Sequence, residues 1–166
     1  MLNSKKPDTA NMNLQELQAL KTQILEACVH KVQERMEEAL AAMNRAADAA
    51  LSEEKSSAGD KYETGRAMGY LERERYAGVL QQARKELPFY QQLKPVSDPQ
   101  RVEPGVLVAA ENMFILLATG IGKMDVAGHT VLVVSAASPL GQKLRGLQAG
   151  AAFMLNERSI RILSLF

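Results

Sequence analysis

The stretch Ser52–Gly59, with the sequence SEEKSSAG, decides the fold of this chain. It is polar and ends in glycine, as expected of a turn that stops a helix. On both sides of it lie long segments composed mainly of Ala, Glu, Gln, Lys, Arg, Leu and Met, which favour helices. The sequence therefore predicts two long helices joined by a short turn.

The first helix is predicted from Asn13 to about Ser52, because this segment contains neither proline nor glycine. At 1.5 Å per residue, a helix of about 40 residues is about 60 Å long and needs a partner helix beside it. Its apolar residues recur every three or four positions, the period of an amphipathic helix: Leu17, Leu20, Ile24, Cys28, Val32, Met36, Leu40, Met43 and Ala47.

The second helix is predicted from about Asp60 to Leu87, with Pro88 near its end. Two helices joined by a short loop become antiparallel neighbours, and the alanines of the first helix would let the two backbones approach closely. We therefore expect an antiparallel helical hairpin, or coiled coil, over residues 1–94, with an acidic tip near residues 53–63.

A second domain is predicted over residues 95–166, where Val, Ile and Gly replace the helix-forming residues. Ser138-Pro139 would open one short helix that Gly146 ends. Glu111-Asn112 and Asn156-Glu157 fit hairpin turns, and Gly120 to Lys123 fits a turn between strands. Strands are expected at Gly105–Ala110, Asn112–Ala118, His129–Ser135, Ala151–Leu155 and Ser159–Phe166. The predicted fold class is α+β: a long helical hairpin followed by a small antiparallel sheet with one short helix.

The charge balance and the metal-binding residue types limit the function. Twenty basic residues stand against 19 acidic ones, so the chain lacks the positive field that favours direct, sequence-specific DNA binding. Cys28, His30 and His129 are too few for a closed zinc site, so a metal would need oxygen ligands. The first ten residues contain no apolar stretch, which predicts a cytoplasmic protein without a membrane partner.

Two carboxylates at the predicted tip are candidate functional residues. Asp60 and Glu63 are three positions apart at a helix start, so they lie on one face. Mg²⁺ is typically held through one or two carboxylates with several waters retained, as two-metal phosphoryl hydrolysis requires. The alternative is that the pair caps the helix, and both roles can coexist. Because an exposed pair holds Mg²⁺ weakly, a partner must complete any catalytic site, and the chain alone is not an enzyme.

The segment Gly59-Asp60-Lys61-Tyr62-Glu63 resembles the tip signature of the Gre transcript cleavage factors. The run from Val134 to Gly141 looks like the Ser-Pro stretch of that family's C-terminal domain, and Leu144-Arg145-Gly146 is similar to its Leu-x-Gly. The order of hairpin, linker and strand-rich domain matches over almost the whole chain.

The resemblance implies a bacterial transcription elongation factor with an FKBP-like C-terminal domain that binds RNA polymerase through Ser138, Pro139 and Leu140. The hairpin tip would enter the secondary channel. There Asp60 and Glu63 would help the polymerase hold Mg²⁺ and cleave the 3′ end of backtracked nascent RNA. No cofactor is implied for the chain alone.

Two other functions stay open. Where the Gre factors continue with Asn-Ala-Glu-Tyr, this chain has Thr64-Gly65-Arg66-Ala67, so it could occupy the channel as a regulator that inhibits or competes without cleaving. An FKBP-like domain could also be a prolyl isomerase or chaperone, which needs an aromatic-lined pocket. The aromatic residues available for it are Phe114, Phe153 and Phe166.

Overall fold

The computed structural model describes residues 12–54, 61–94 and 96–166. The fold is α+β, with two long helices followed by a six-stranded mixed sheet and one short helix. The helices are α1 (Leu14–Glu54), α2 (Lys61–Gln92) and α3 (Pro139–Leu144). The strands are β1 (Leu107–Ala110), β2 (Phe114–Ala118), β3 (Gly122–Val126), β4 (His129–Ser135), β5 (Ala152–Leu155) and β6 (Arg158–Leu165).

Helix α1 begins at a reciprocal cap. The Asn13 backbone N–H donates to Glu16 Oε2 at 2.8 Å, and the Glu16 backbone N–H donates to Asn13 Oδ1 at 2.9 Å. This is a capping box, which satisfies N–H groups that have no partner inside the helix. The sequence prediction placed the start of the first helix within one residue of this cap.

The chain divides into two compact units. One consists of residues 29–91, and the other combines residues 12–28 with residues 92–166. Helix α1 therefore contributes residues to both units. The predicted domain boundary between residues 94 and 95 stays a prediction.

The unit of residues 29–91 is a helical hairpin, as the sequence predicted. Its helices run antiparallel, because Arg35 near the start of the unit pairs with Glu86, whereas Ala46 lies beside Gly69. Small side chains fill much of the interface and let the two backbones approach closely. The buried apolar residues of this unit are Val32, Ala39, Ala42 and Ala46 on α1, and Leu80, Ala83 and Tyr90 on α2.

Helix α2 extends further than the sequence indicated, because it continues through Pro88 to Gln92. A proline inside a helix removes one backbone hydrogen bond, so the last turn needs other support. Tyr90 supplies part of it, since its side chain is buried and its ring meets that of Phe89 edge-on with centroids 5.3 Å apart. The packing of this turn therefore outweighs the tendency of Pro88 to end the helix.

The sheet has the strand order β3-β4-β2-β1-β6-β5 and is mixed, not wholly antiparallel. The sequence prediction missed β3 and treated Gly120 to Lys123 as a plain turn, although Gly122 and Lys123 belong to that strand. Because β3 pairs antiparallel with β4, it reverses the chain once more, and β4 then runs parallel to β2. The omission of β3 thus explains why the sheet was wrongly predicted to be wholly antiparallel.

The two predicted hairpin turns of the sheet are confirmed. Glu111 and Asn112 connect β1 to β2, and the Ala110 N–H donates to the Met113 carbonyl oxygen at 3.0 Å. Asn156 and Glu157 connect β5 to β6 with φ values of 48° and 63°. Positive φ at both central residues matches the twist of the flanking strands.

The sheet surrounds a buried apolar core. Strands β1 and β2 are buried along their full length, and α3 contributes Leu144 to the same core. The buried members of this core are Val102, Val108, Ala110, Ile115, Leu117, Val134, Leu144, Phe153, Ile160 and Ile162. Leu140, near the start of α3, also packs against this core, so the helix that carries the predicted polymerase-binding residues is held against the sheet.

Candidate functional site

The first candidate site lies where the hairpin turns. Helix α1 ends at Glu54 and α2 begins at Lys61, and Glu63 lies in the first turn of α2 with its side chain exposed. The other predicted carboxylate, Asp60, lies outside the described residues. A carboxylate in the first turn is favoured by the positive end of the helix dipole. Glu63 therefore presents a negative charge to solvent at the turn of the hairpin.

A cation follows Glu63 by one helical turn. Arg66 is partly buried, and its Nε atom is buried without a hydrogen-bond partner among residues 12–54, 61–94 and 96–166. Thr64, which directly follows Glu63, is exposed. The segment that departs from the Gre pattern thus adds a positive group close to the acidic residue.

Four further basic residues of α2 are exposed, namely Arg73, Arg75, Arg84 and Lys85. The Arg75 guanidinium lies 5.0 Å from the centroid of the Tyr76 ring, a cation–π contact. Exposed glutamates Glu72 and Glu74 alternate with these cations.

The second candidate site is the start of α3. Ser138 is its N-cap: Oγ accepts a hydrogen bond from the Gly141 N–H at 3.0 Å and donates one to the Ser135 carbonyl oxygen at 2.7 Å. Leu140 packs against the core, whereas Pro139 at the first helical position is exposed. Of the three predicted polymerase-binding residues, Pro139 is exposed, whereas Ser138 and Leu140 are partly buried.

Because Ser138 makes both of these hydrogen bonds, Ser138→Ala is expected to lower the free energy of unfolding by about 1 kcal/mol, the usual effect of losing a helix cap. Thermal or urea unfolding followed by circular dichroism measures the change. Ser138→Asp keeps an acceptor for the Gly141 N–H and serves as the control, so it should retain more of the stability. Equal stability of wild type and Ser138→Ala would contradict a structural role for the hydroxyl group.

No protein-family model and no curated protein sequence matches this chain. The functional interpretation accordingly depends on the motif residues and on the geometry described here. None of the described helices is both long and apolar enough to cross a membrane.

The described part of the chain contains no group of three or more His, Cys, Asp or Glu side chains placed to hold a metal ion. At the hairpin turn, Glu63 is the one predicted carboxylate within the described residues. Any Mg²⁺ bound here would therefore take Glu63 as one ligand and most of its others from elsewhere, which fits the incomplete coordination that Mg²⁺ usually has in proteins.

Two structural features were not found by sequence reasoning. The first is a partly buried ion pair in the hairpin, in which Arg35 Nη2 lies 2.7 Å from Oε2 of the buried Glu86. The sequence feature that could have indicated this pair is the spacing of Val32, Arg35 and Ala39, which places Arg35 on the same face of α1 as the buried residues. The second is a cleft beside Lys21, for which the sequence carried no signal.

Proposed function

We propose that this chain is a transcription elongation factor that binds RNA polymerase and inserts the turn of its helical hairpin into the secondary channel. There it would stimulate the polymerase to cleave backtracked RNA. The observation that carries the proposal is the position of Glu63, an exposed carboxylate in the first turn of α2, within a segment that resembles the Gre tip.

The chemistry needs a second ion in the polymerase active site. In two-metal hydrolysis, the metals position the attacking water and neutralise charge on the phosphate. Glu63, together with Asp60, would provide oxygen ligands for a Mg²⁺ ion that is otherwise held by the polymerase and the RNA. Two carboxylates do not form a complete active site, so in this proposal the polymerase is the enzyme.

The FKBP-like C-terminal domain would provide the affinity. Pro139 is exposed at the start of α3, and the cap at Ser138 holds its backbone in place. A side chain that is rigidly positioned loses little conformational entropy on binding. This supports a role of the Ser138-Pro139-Leu140 segment in contacting RNA polymerase.

The test is a cleavage assay on a stalled, backtracked elongation complex with labelled RNA and Mg²⁺. Wild-type protein is expected to accelerate release of short 3′ fragments. Glu63→Gln keeps the shape but removes the charge, so it should slow the stimulated cleavage about ten-fold, as expected for a weakened metal contact. Asp60→Ala combined with Glu63→Ala should return cleavage to the rate of the polymerase alone.

The matched control is Glu74→Gln, the same change at an exposed position about three helical turns further along α2. Glu74→Gln should leave the stimulation of RNA cleavage unchanged. Binding of every variant to the polymerase is measured in parallel, because loss of cleavage counts only where binding persists. Equal cleavage by wild type and Glu63→Gln would contradict the proposed role of the carboxylate.

A second candidate function is a regulator that occupies the channel without cleaving. The observation that favours it is Arg66, whose Nε is buried. Its guanidinium group adds positive charge one helical turn after Glu63 and would weaken the affinity of the site for Mg²⁺. In the same assay, this function predicts that wild type and the double variant both bind and both alter elongation, with no fragment release from either.

Prolyl isomerase activity has less support. Phe114 and Phe153 are buried in the β domain, and the Phe114 ring meets the His129 ring edge-on at 5.4 Å between centroids. These two rings are used in packing and cannot line an open pocket for a proline substrate.

A further inference from the structure

The two edge strands of the sheet differ in the side chains that they present. The sheet ends at β3 on one side and at β5 on the other. Strand β3 carries the exposed charged residues Lys123 and Asp125, and charges on an edge strand discourage the addition of a further strand. Strand β5 has the sequence Ala-Phe-Met-Leu, with neither a charged residue nor a proline. The edge at β5 therefore lacks the usual protection against strand addition.

Backbone groups of β5 point away from the sheet. Within the residues described, β5 pairs with β6 alone. Just before β5, the Ile162 N–H donates to the Ala151 carbonyl oxygen at 2.8 Å, which fixes the positions that face β6. These positions alternate along an antiparallel pair, so Phe153 directs its N–H and C=O groups towards β6, whereas Ala152 and Met154 direct theirs away from it. Ala152 and Met154 thus offer donors and acceptors to a strand on the outer side.

A basic residue lies beside this edge on the exposed face of the sheet. Phe153 is buried, whereas Ala152 and Met154 on either side of it are exposed on the opposite face. Arg161 of β6 is the cross-strand partner of Ala152, so the two side chains share that face. Arg161 is exposed and forms no ion pair with any described residue. Because the alanine side chain is short, the guanidinium group can extend over Ala152 towards a strand added beside β5.

The composition of β5 favours a partner protein over a second copy of this chain at this edge. If two copies paired through their β5 strands, the residue opposite Ala152 would come from β5 of the second copy, and β5 contains no acidic residue. Each Arg161 would then stay without a counter-charge across the strands. A segment with a carboxylate opposite Ala152 supplies that charge as well as partners for the free backbone groups. Charge complementarity thus points to an acidic extended segment.

We propose that β5 binds an extended, acidic segment of a partner protein as an added antiparallel strand. An apolar side chain of the segment contacts Met154, and a carboxylate two residues further on pairs with Arg161 across Ala152. In strand addition, main-chain hydrogen bonds supply affinity and alternate side chains supply specificity. This surface is separate from Glu63 and from the cleavage activity, so either proposal can fail without the other.

The test is a titration of the full chain with the capped peptide Thr-Glu-Thr-Val-Thr-Glu-Thr, followed by two-dimensional ¹H–¹⁵N NMR. When the valine lies opposite Met154, a glutamate lies opposite Ala152. The amide signals of these two residues are expected to shift and to saturate. A peptide with glutamine in place of both glutamates should bind about three-fold more weakly, as expected for the loss of one exposed ion pair. A peptide with N-methylvaline keeps the side chain but loses the N–H that donates to β5, so it should bind about ten-fold more weakly.

Arg161→Glu replaces attraction by repulsion, so it should weaken binding of the glutamate peptide about ten-fold. The same variant should bind a peptide with lysine in place of both glutamates more tightly than the wild type does, a result that a merely structural role of Arg161 would not produce. The matched control is Lys123→Glu, the same change of charge on the opposite edge strand. Its affinity for the glutamate peptide should equal that of wild type.

The peptide comparisons on wild-type protein keep the proposal testable if Arg161→Glu does not fold. Equal affinities for the valine and N-methylvaline peptides, or for the glutamate and glutamine peptides, would overturn the proposal. The absence of saturable shifts at Ala152 and Met154 would contradict it as well. Shifts of these two signals when wild-type protein alone is diluted would mean that a second copy covers β5, and they would also overturn the proposal.

Discussion

Replacing Gly141 with alanine is expected to lower the free energy of unfolding by about 3 kcal/mol, at the upper end of the cost of overpacking a well-packed core. A Cβ atom at this position would lie 2.0 Å from the carbonyl oxygen of Ser135 and 3.0 Å from the Cα of Ala136. Both neighbours are backbone atoms, so no side-chain rotation relieves the overlap. Helix α3 would have to move away from the end of β4.

Chemical unfolding of the whole chain measures this change. The matched control is Gly78→Ala, the same substitution in α2 at a site where an added Cβ meets nothing within 4 Å. It should raise the stability of the helical hairpin by about 0.5 to 1 kcal/mol, because alanine is the better helix former. If Gly141→Ala behaved like Gly78→Ala, the close contact between α3 and β4 would be wrong.

The second large effect is expected at the partly buried ion pair of the hairpin. Removing Arg35 would leave the Glu86 carboxylate buried without its cation, with one weaker hydrogen bond from Gln82 Nε2 at 3.2 Å. Arg35→Met should therefore cost about 2 kcal/mol of stability, less than the breaking of a fully buried pair, because the Arg35 side chain is 33% exposed.

A double-mutant cycle tests the reason for this loss. Combining Arg35→Met with Glu86→Leu removes both charges and should recover most of the stability, because an apolar pair of similar size packs well. The control is Lys31→Met, which breaks the exposed pair with Glu34 and should leave unfolding unchanged. A double variant no more stable than Arg35→Met alone would mean that the lost arginine contacts, rather than the uncompensated charge, cause the effect.

The sequence was sufficient where the local pattern and the tertiary structure agree. The turns at Glu111-Asn112 and Asn156-Glu157 are local signals, and the structure confirms them. The predicted apolar stripe of α1 is confirmed as far as Val32, but beyond it the buried residues are alanines 39, 42 and 46, and Leu40 is exposed. Gly146, predicted to end the short helix, follows its last residues with a φ of 82°.

The prediction failed where burial and pairing override local preference. Strand β3 reads Gly-Lys-Met-Asp-Val, and its polar residues Lys123 and Asp125 are exposed because this strand forms an edge of the sheet. An edge strand with two glycines nearby resembles a turn in sequence. Its omission then reversed the predicted direction of β4.

The same distinction between local sequence signals and tertiary contacts applies to the candidate sites. Glu63 was predicted in the first turn of the second helix, where the structure has it. The sequence predicted that Ser138 caps α3, and its hydrogen bond with the Gly141 N–H confirms this. The core contact of Leu140 and the hydrogen bond from Ser138 to the Ser135 carbonyl oxygen depend on how α3 packs on the sheet, and a motif cannot indicate them. The sequence did not indicate the cleft beside Lys21, because this cleft is lined by segments that are far apart in sequence.

The place of β6 within the sheet governs when the β domain can fold during synthesis. This strand lies between β1 and β5, and Val108 of β1 pairs with Leu165. A ribosome must therefore finish residues 158–165 before β1, which is wholly apolar, receives its second neighbour. Until then the nascent chain carries an unpaired hydrophobic edge, the kind of surface that attracts chaperones and promotes aggregation. Chains broken off before β6 should accordingly be removed by proteases instead of persisting as free hairpins.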